Sequence, residues 1–176
     1  MQTGYTVTTE KGEFTLVRES FPNTEVSMYL PDFLTELSDE EINQAFPLAQ
    51  RPVILKSNTE KKVVFVANMT PVNIPSDIDE GTATLNLFSE QAQALSRLTP
   101  GFHDNGARSK KIAERTVVCL EYASYALEDD MYNLFFLFVH GGNMIYGTFS
   151  CLFEEQLEMN LVFLACLDSL QFRTPE

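Results

Sequence analysis

At 176 residues, 44% of them hydrophobic and with 14 Phe, the chain is long enough for a single domain that buries about 70% of its unfolded surface without a disulfide or metal staple. Its 25 Asp+Glu against 12 Lys+Arg give a net charge of −13, a field that repels nucleic acid and anionic membrane surfaces. The same charge favours a basic protein partner or a cation, although solubility alone accounts for it. The first residues lack the basic and apolar regions of a secretory signal, and no apolar stretch is long enough to span a bilayer. Cys119, Cys151 and Cys166 form an odd set, each inside an apolar pattern, as buried thiols in a reducing compartment do; cytoplasmic location is the expectation.

In chain order, β-prone runs at 5–8 and 14–17 flank the turn-like Glu10-Lys11-Gly12 and predict an opening hairpin. Val26, Met28 and Leu30 alternate with more polar neighbours as a half-buried strand, ended by Pro31. Ser38-Asp39-Glu40-Glu41 is a capping box: the Ser hydroxyl can accept from the Glu41 amide, and the Glu41 carboxylate can reach back to the Ser38 amide. It predicts a short helix to about Phe46, stopped by Pro47. Two runs at 53–56 and 62–69 predict a second hairpin, and the second run, apolar at both parities, reads as an interior strand.

Leu85, Phe88, Ala92 and Leu95 recur at helical spacing, so a long helix is expected over 79–98. The polar stretch 99–109 reads as the longest loop. Runs at 117–125, 131–139 and 143–152 are joined by short connections and predict an antiparallel meander. Its middle run, Leu134-Phe135-Phe136-Leu137-Phe138-Val139, is apolar on both faces and needs cover on each. A last helix, about 154–170, is apolar around most of its circumference and is expected to be deeply buried.

Several stretches together carry a family resemblance: Val26-Ser27-Met28-Tyr29-Leu30-Pro31, Ala45 to Leu55, Met131 to Phe136, Gly141-Gly142-Asn143, Gly147 to Cys151, and the terminal helix reaching Ser169-Leu170-Gln171-Phe172. Over residues 24–172 the chain resembles the PsbP-like superfamily, shared with the Ran-binding Mog protein, and looks like its uncharacterised bacterial branch. The resemblance implies a three-layer α/β/α sandwich around a mainly antiparallel sheet, in the α/β (α+β) class, as one domain over 1–176. It implies protein binding or scaffolding and no activity.

Candidate chemistry is thin. His140 and Cys151 would make a Cys–His pair, but a two-residue turn at Gly141-Gly142 pairs His140 with Asn143 and leaves Cys151 roughly 26 Å along the strand. His103 has no assigned neighbour, though it could meet Cys119 or Cys166. Asp77-Ile78-Asp79-Glu80-Gly81 opens like a calcium loop, yet its twelfth position is Phe88, so a helix N-terminal acidic cluster explains it. Glu128-Asp129-Asp130 reads as a hairpin tip. Arg108, Lys110 and Lys111 are too short a basic run for nucleic acid. No catalytic residue, metal ligand or cofactor is therefore assigned. The expected function is a non-catalytic protein-binding domain, such as a bacterial adaptor, chaperone or immunity factor. The alternatives are a small-ligand protein or enzyme with a pocket between sheet and helix, lined by Tyr122, Tyr132 and Tyr146, and a structural homodimer subunit.

Overall fold

The structure, a computed structural model, describes residues 4–45, 51–126 and 128–172. Strands β1 (Tyr5–Thr9), β2 (Gly12–Ser20) and β3 (Ser27–Pro31) form a small antiparallel sheet in the order β1-β2-β3. The opening hairpin is thus as expected, but it joins the following strand in a sheet of its own, a separation that no local sequence pattern marks. β4 (Thr35–Glu36), the short helix α1 (Asp39–Ala45), β5 (Ile54–Asn58) and β6 (Val63–Pro71) follow, then the long helix α2 (Glu80–Leu98). After it come β7 (His103–Ile112), β8 (Arg115–Ala126), β9 (Asp129–His140) and β10 (Asn143–Leu152). A 3-10 turn at Phe153–Glu155 leads into the last helix, α3 (Gln156–Asp168). The main sheet has seven antiparallel strands in the order β4-β5-β6-β10-β9-β8-β7.

The two-faced β9 sets the layers. Tyr132, Leu134, Phe136 and Phe138 point into the larger core, where α3 and the small sheet meet the main sheet. Phe135 and Leu137 point the other way, with Leu120, Tyr122 and Met144, and are covered by Leu87, Phe88, Ala92 and Leu95 of α2. Alternating strand residues serve opposite faces, so an uninterrupted apolar run is what a doubly covered strand requires. The expected α/β/α layering holds, with the small sheet beside α3 as an addition. Gly147 belongs to this packing: a Cβ there would lie 2.3 Å from the Val66 carbonyl oxygen, with the Phe136 ring also under contact distance.

Local rules account for the helix starts. Asp79 caps α2, its Oδ1 accepting from the Thr82 amide at 2.7 Å, so the acidic cluster at 77–81 serves the helix. Ser38 Oγ accepts from the Glu41 amide at 3.2 Å as the capping box predicts, but the Glu41 carboxylate takes the Ser38 hydroxyl at 3.1 Å. Pro47, the expected stop of that helix, lies outside the described residues.

Two expectations are corrected. The stretch read as a loop over 99–109 is mostly β7, a ten-residue strand laddered to β8. It carries no alternation because it is an edge strand exposed along nearly its whole length, so no buried face selects its residues. The last helix is not deeply buried: Leu157 is 89% and Leu161 52% exposed.

Candidate functional site

The uncovered side of α3 is the feature to which packing gives no partner. Met159, Val162, Phe163, Cys166 and Leu167 turn inward. Phe163 stacks on Tyr132 of β9 (6.3 Å, 3°) and on Phe149 of β10 (5.0 Å, 24°), which seats the helix over those two strands.

One flank is tied to the small sheet. Lys11 pairs with Glu155 at 3.0 Å, and its amide donates to Glu158 Oε1 at 3.2 Å. The Tyr5 hydroxyl donates to the Ala165 carbonyl at 2.9 Å, and the Tyr29 amide to Ser169 Oγ at 2.7 Å. Gln171 and Ser27 then exchange both backbone hydrogen bonds.

The other flank meets β8 and β7 through polar groups. The Tyr132 hydroxyl donates to Glu121 Oε1 at 2.5 Å, and the Asn160 amide group donates to the same carboxylate and to the Tyr132 oxygen. Burial, and the proton it gives Glu121, push the Tyr132 hydroxyl well above the usual phenol range, so it stays a neutral donor. At the far end Lys110 Nζ reaches Asp168 Oδ1 at 2.5 Å. Above and beside these contacts lie Leu157, Leu161 and the half-buried Leu164, spaced for one helix side. The adjoining sheet surface, set by strand alternation from Cys119 and Glu121, holds Ala123 and the 50%-exposed Tyr125 on β8, with His103 and the exposed Arg108 opposite on β7.

The sequence-level candidates are placed elsewhere or apart. His140 pairs with Asn143 and Cys151 with Tyr132 in the β9–β10 ladder, so the two occupy opposite ends of the hairpin. His140 packs on Phe172 at 5.1 Å, and burial beside Arg115 lowers its pKa. Arg108, not His103, stands opposite Cys119, and the thiol beside its guanidinium holds Arg108 more firmly protonated. Burial raises the Cys151 thiol to about 12 and the Cys166 thiol also, which leaves both as neutral, poorly nucleophilic side chains near neutral pH. Asp129 of the hairpin tip pairs with Lys62 at 3.1 Å.

The three tyrosines do not share a pocket, because strand parity sends Tyr122 and Tyr146 to the α2 side and Tyr132 to the α3 side. A hollow of about 660 Å³, bordered by Tyr5, Tyr29, Asp168 and Ser169, is wide open to solvent. The signal for the α3 surface was already present in the sequence: a helix apolar on all sides must find neighbours on all sides or expose leucines.

No family model and no curated protein matches the sequence. Solved structures match it by shape. Cyanobacterial PsbP from Synechocystis sp. PCC 6803 superposes with a TM-score of 0.63 at 11% identity, over 94% of this chain and 97% of that one. PA94 of Pseudomonas aeruginosa, a protein of unknown function, gives 0.54 at 11% identity over 98% and 99%. LpqN of Mycobacterium tuberculosis, a protein involved in cell envelope biogenesis, gives 0.50 at 12% identity over 98% and 91%. These likenesses define the class: an α+β domain of antiparallel sheets and packed helices. More particularly, the chain has the PsbP-like fold that its sequence resemblance implied. No helix among the described residues is long and apolar enough to cross a membrane.

Proposed function

We propose that the chain is a non-catalytic protein-binding domain that engages another protein through the outer side of α3 and the neighbouring surface of β8 and β7. The observation that carries this reading is the exposure of Leu157 (89%) and Leu161 (52%) on a helix whose remaining apolar residues are buried or half-buried. An exposed apolar strip rimmed by polar groups costs solubility and marks interaction sites. The paired ions at its ends, Lys110–Asp168 and Lys11–Glu155, suit the polar rim of an interface. An adaptor, chaperone or immunity role in a bacterial cytoplasm follows the same reading.

The test places a photo-crosslinking residue at position 157 and, as a control, at Glu90 on the exposed side of α2. The expected result in cells is a discrete crosslinked protein from position 157 that is absent from position 90 and lost in Leu161→Asp. Equal crosslinking from the two positions, or none from 157, rejects the surface.

A further inference from the structure

This inference rests on the interface just proposed and asks what chemistry fills it. α3 lies over β9 and β10, while on β8 and β7 Tyr125 and Arg108 remain exposed on the same side. Strands lie about 4.8 Å apart, so the midline of β8 and β7 is about 10 Å from that of β9 and β10. Packed helices sit roughly 8–10 Å apart, axis to axis. The open strip is therefore one helix wide. On the α3 side of β8 Val117 and Cys119 are fully buried, so the strip is open from Glu121 to Tyr125, with His103 and Arg108 of β7 beside it, a length of roughly 15 Å that about ten helical residues span.

Other occupants fit less well. A strand added to the edge of β7 meets the bulge between Asp104 and Ala107 and the cations Arg108, Lys110 and Lys111, which are devices that oppose edge pairing. A second copy brings another −13 toward this one. The charge of the strip itself differs from that of the molecule: strand register places Arg108, Lys110 and Arg115 on the α3 side against Glu121, which already accepts from Tyr132 and Asn160, while Arg115 is taken by Glu80. Lys110 is held by Asp168 and Lys111 donates to Thr116 Oγ1 at 2.8 Å, whereas Arg108 is exposed and makes no salt bridge among the described residues.

We infer that the strip receives an acidic amphipathic α-helix of another protein. The helix lies alongside α3 with its apolar side on Leu157, Leu164, Ala123 and Tyr125 and a carboxylate directed to Arg108. The general mode is a helix laid in a groove, with apolar anchors supplying affinity and the charge pair setting preference.

The experiment titrates three synthetic 20-residue peptides into the full chain and follows backbone amide resonances by NMR. One peptide is a Leu/Ala/Glu amphipathic helix, one replaces every Glu with Lys, and one is the acidic peptide interrupted by central prolines. The acidic helix is expected to shift resonances of α3, β7 and β8, the Lys version to bind about ten-fold more weakly, and the interrupted peptide to bind least. Arg108→Glu reverses the order of the first two, and Leu157→Asp abolishes both responses. If Leu157→Asp abolishes binding but Arg108→Glu leaves the preference unchanged, the interface stands and the acidic helix is overturned. If Leu157→Asp changes nothing, the interface itself is wrong. Response to none of the peptides, shifts along the outer edge of β7 with the interrupted peptide, or a dimer by light scattering that Leu157→Asp dissolves each overturn the assignment.

Discussion

α2 and α3 cover opposite faces of one sheet, but their sequences meet water differently. α2 sorts its residues: Leu87, Phe88, Ala92 and Leu95 pack on Leu120, Tyr122, Phe135 and Leu137, while Glu90, Gln93, Ser96 and Arg97 stay exposed. Its own exposed leucines are Leu85, in its second turn, and Leu98, its last residue. α3 sorts nothing, and its outward residues are as apolar as its inward ones. The difference teaches that α2 is complete as a two-sided element between sheet and solvent, whereas α3 has the composition of a helix enclosed all round and, with the main sheet beneath it and the small sheet along one flank, still leaves Leu157 and Leu161 open.

Breaking the packed side of α3 has the largest expected effect. Phe163→Ala removes a fully buried ring from between Tyr132 and Phe149 and should lower unfolding free energy by about 3–5 kcal/mol, read from the urea midpoint. Alkaline pH attacks the same side next. Folding raises the Cys151 thiol from 9.0 to about 12, so the native state keeps a proton that the unfolded chain gives up. Its contribution is complete below about pH 9 and is lost as pH rises toward 12, at about 1.4 kcal/mol per pH unit. Denaturation midpoints between pH 8 and 10.5 should fall, and Cys151→Ala should flatten that slope. On the α2 side, buried Thr84 donates to the Glu80 carbonyl at 2.8 Å and accepts from the Val139 amide at 3.0 Å. Thr84→Val keeps the shape, strands that amide, and should cost about 1–2 kcal/mol by the same measurement.

The meander, both long helices and the double cover of β9 were legible because each rests on periodicity in a half or fully buried element. The run from Leu134 to Val139, short and bounded by turn signals, reads as an interior strand, and Phe88, Ala92 and Leu95 name the packed side of α2, although Leu85, read with them, is 46% exposed and Leu87 packs in its stead. β7 was not legible. From His103 to Lys111 no residue is buried, so the ladder with β8 and not side-chain burial holds the segment, and a polar edge strand reads like a loop. The separation of β1, β2 and β3 into their own sheet depends on Tyr5, Tyr29 and Ser27 meeting residues near the end of the chain, contacts with no local trace. The tyrosine pocket failed on parity: Tyr122, Tyr132 and Tyr146 lie on three neighbouring strands, but the register turns Tyr132 away from the other two. The α3 surface was half legible, since the excess of apolar residues was plain and only their exposure was not.

The smallest effect on stability is expected where the effect on function is expected to be greatest. Leu157→Asp with Leu161→Asp places two carboxylates at positions already open to water, Leu157 almost fully so. Nothing leaves the core, no buried polar group is created, and substitutions of that kind change stability by about 0.5 kcal/mol or less. The urea midpoint should therefore stay close to that of the parent chain while crosslinking from this side of α3 disappears. The equivalent pair on α2, Glu90→Ala with Gln93→Ala, should alter neither. A large loss of stability in the leucine pair would mean that these side chains pack against their own domain, and that α3, like α2, is complete without a partner.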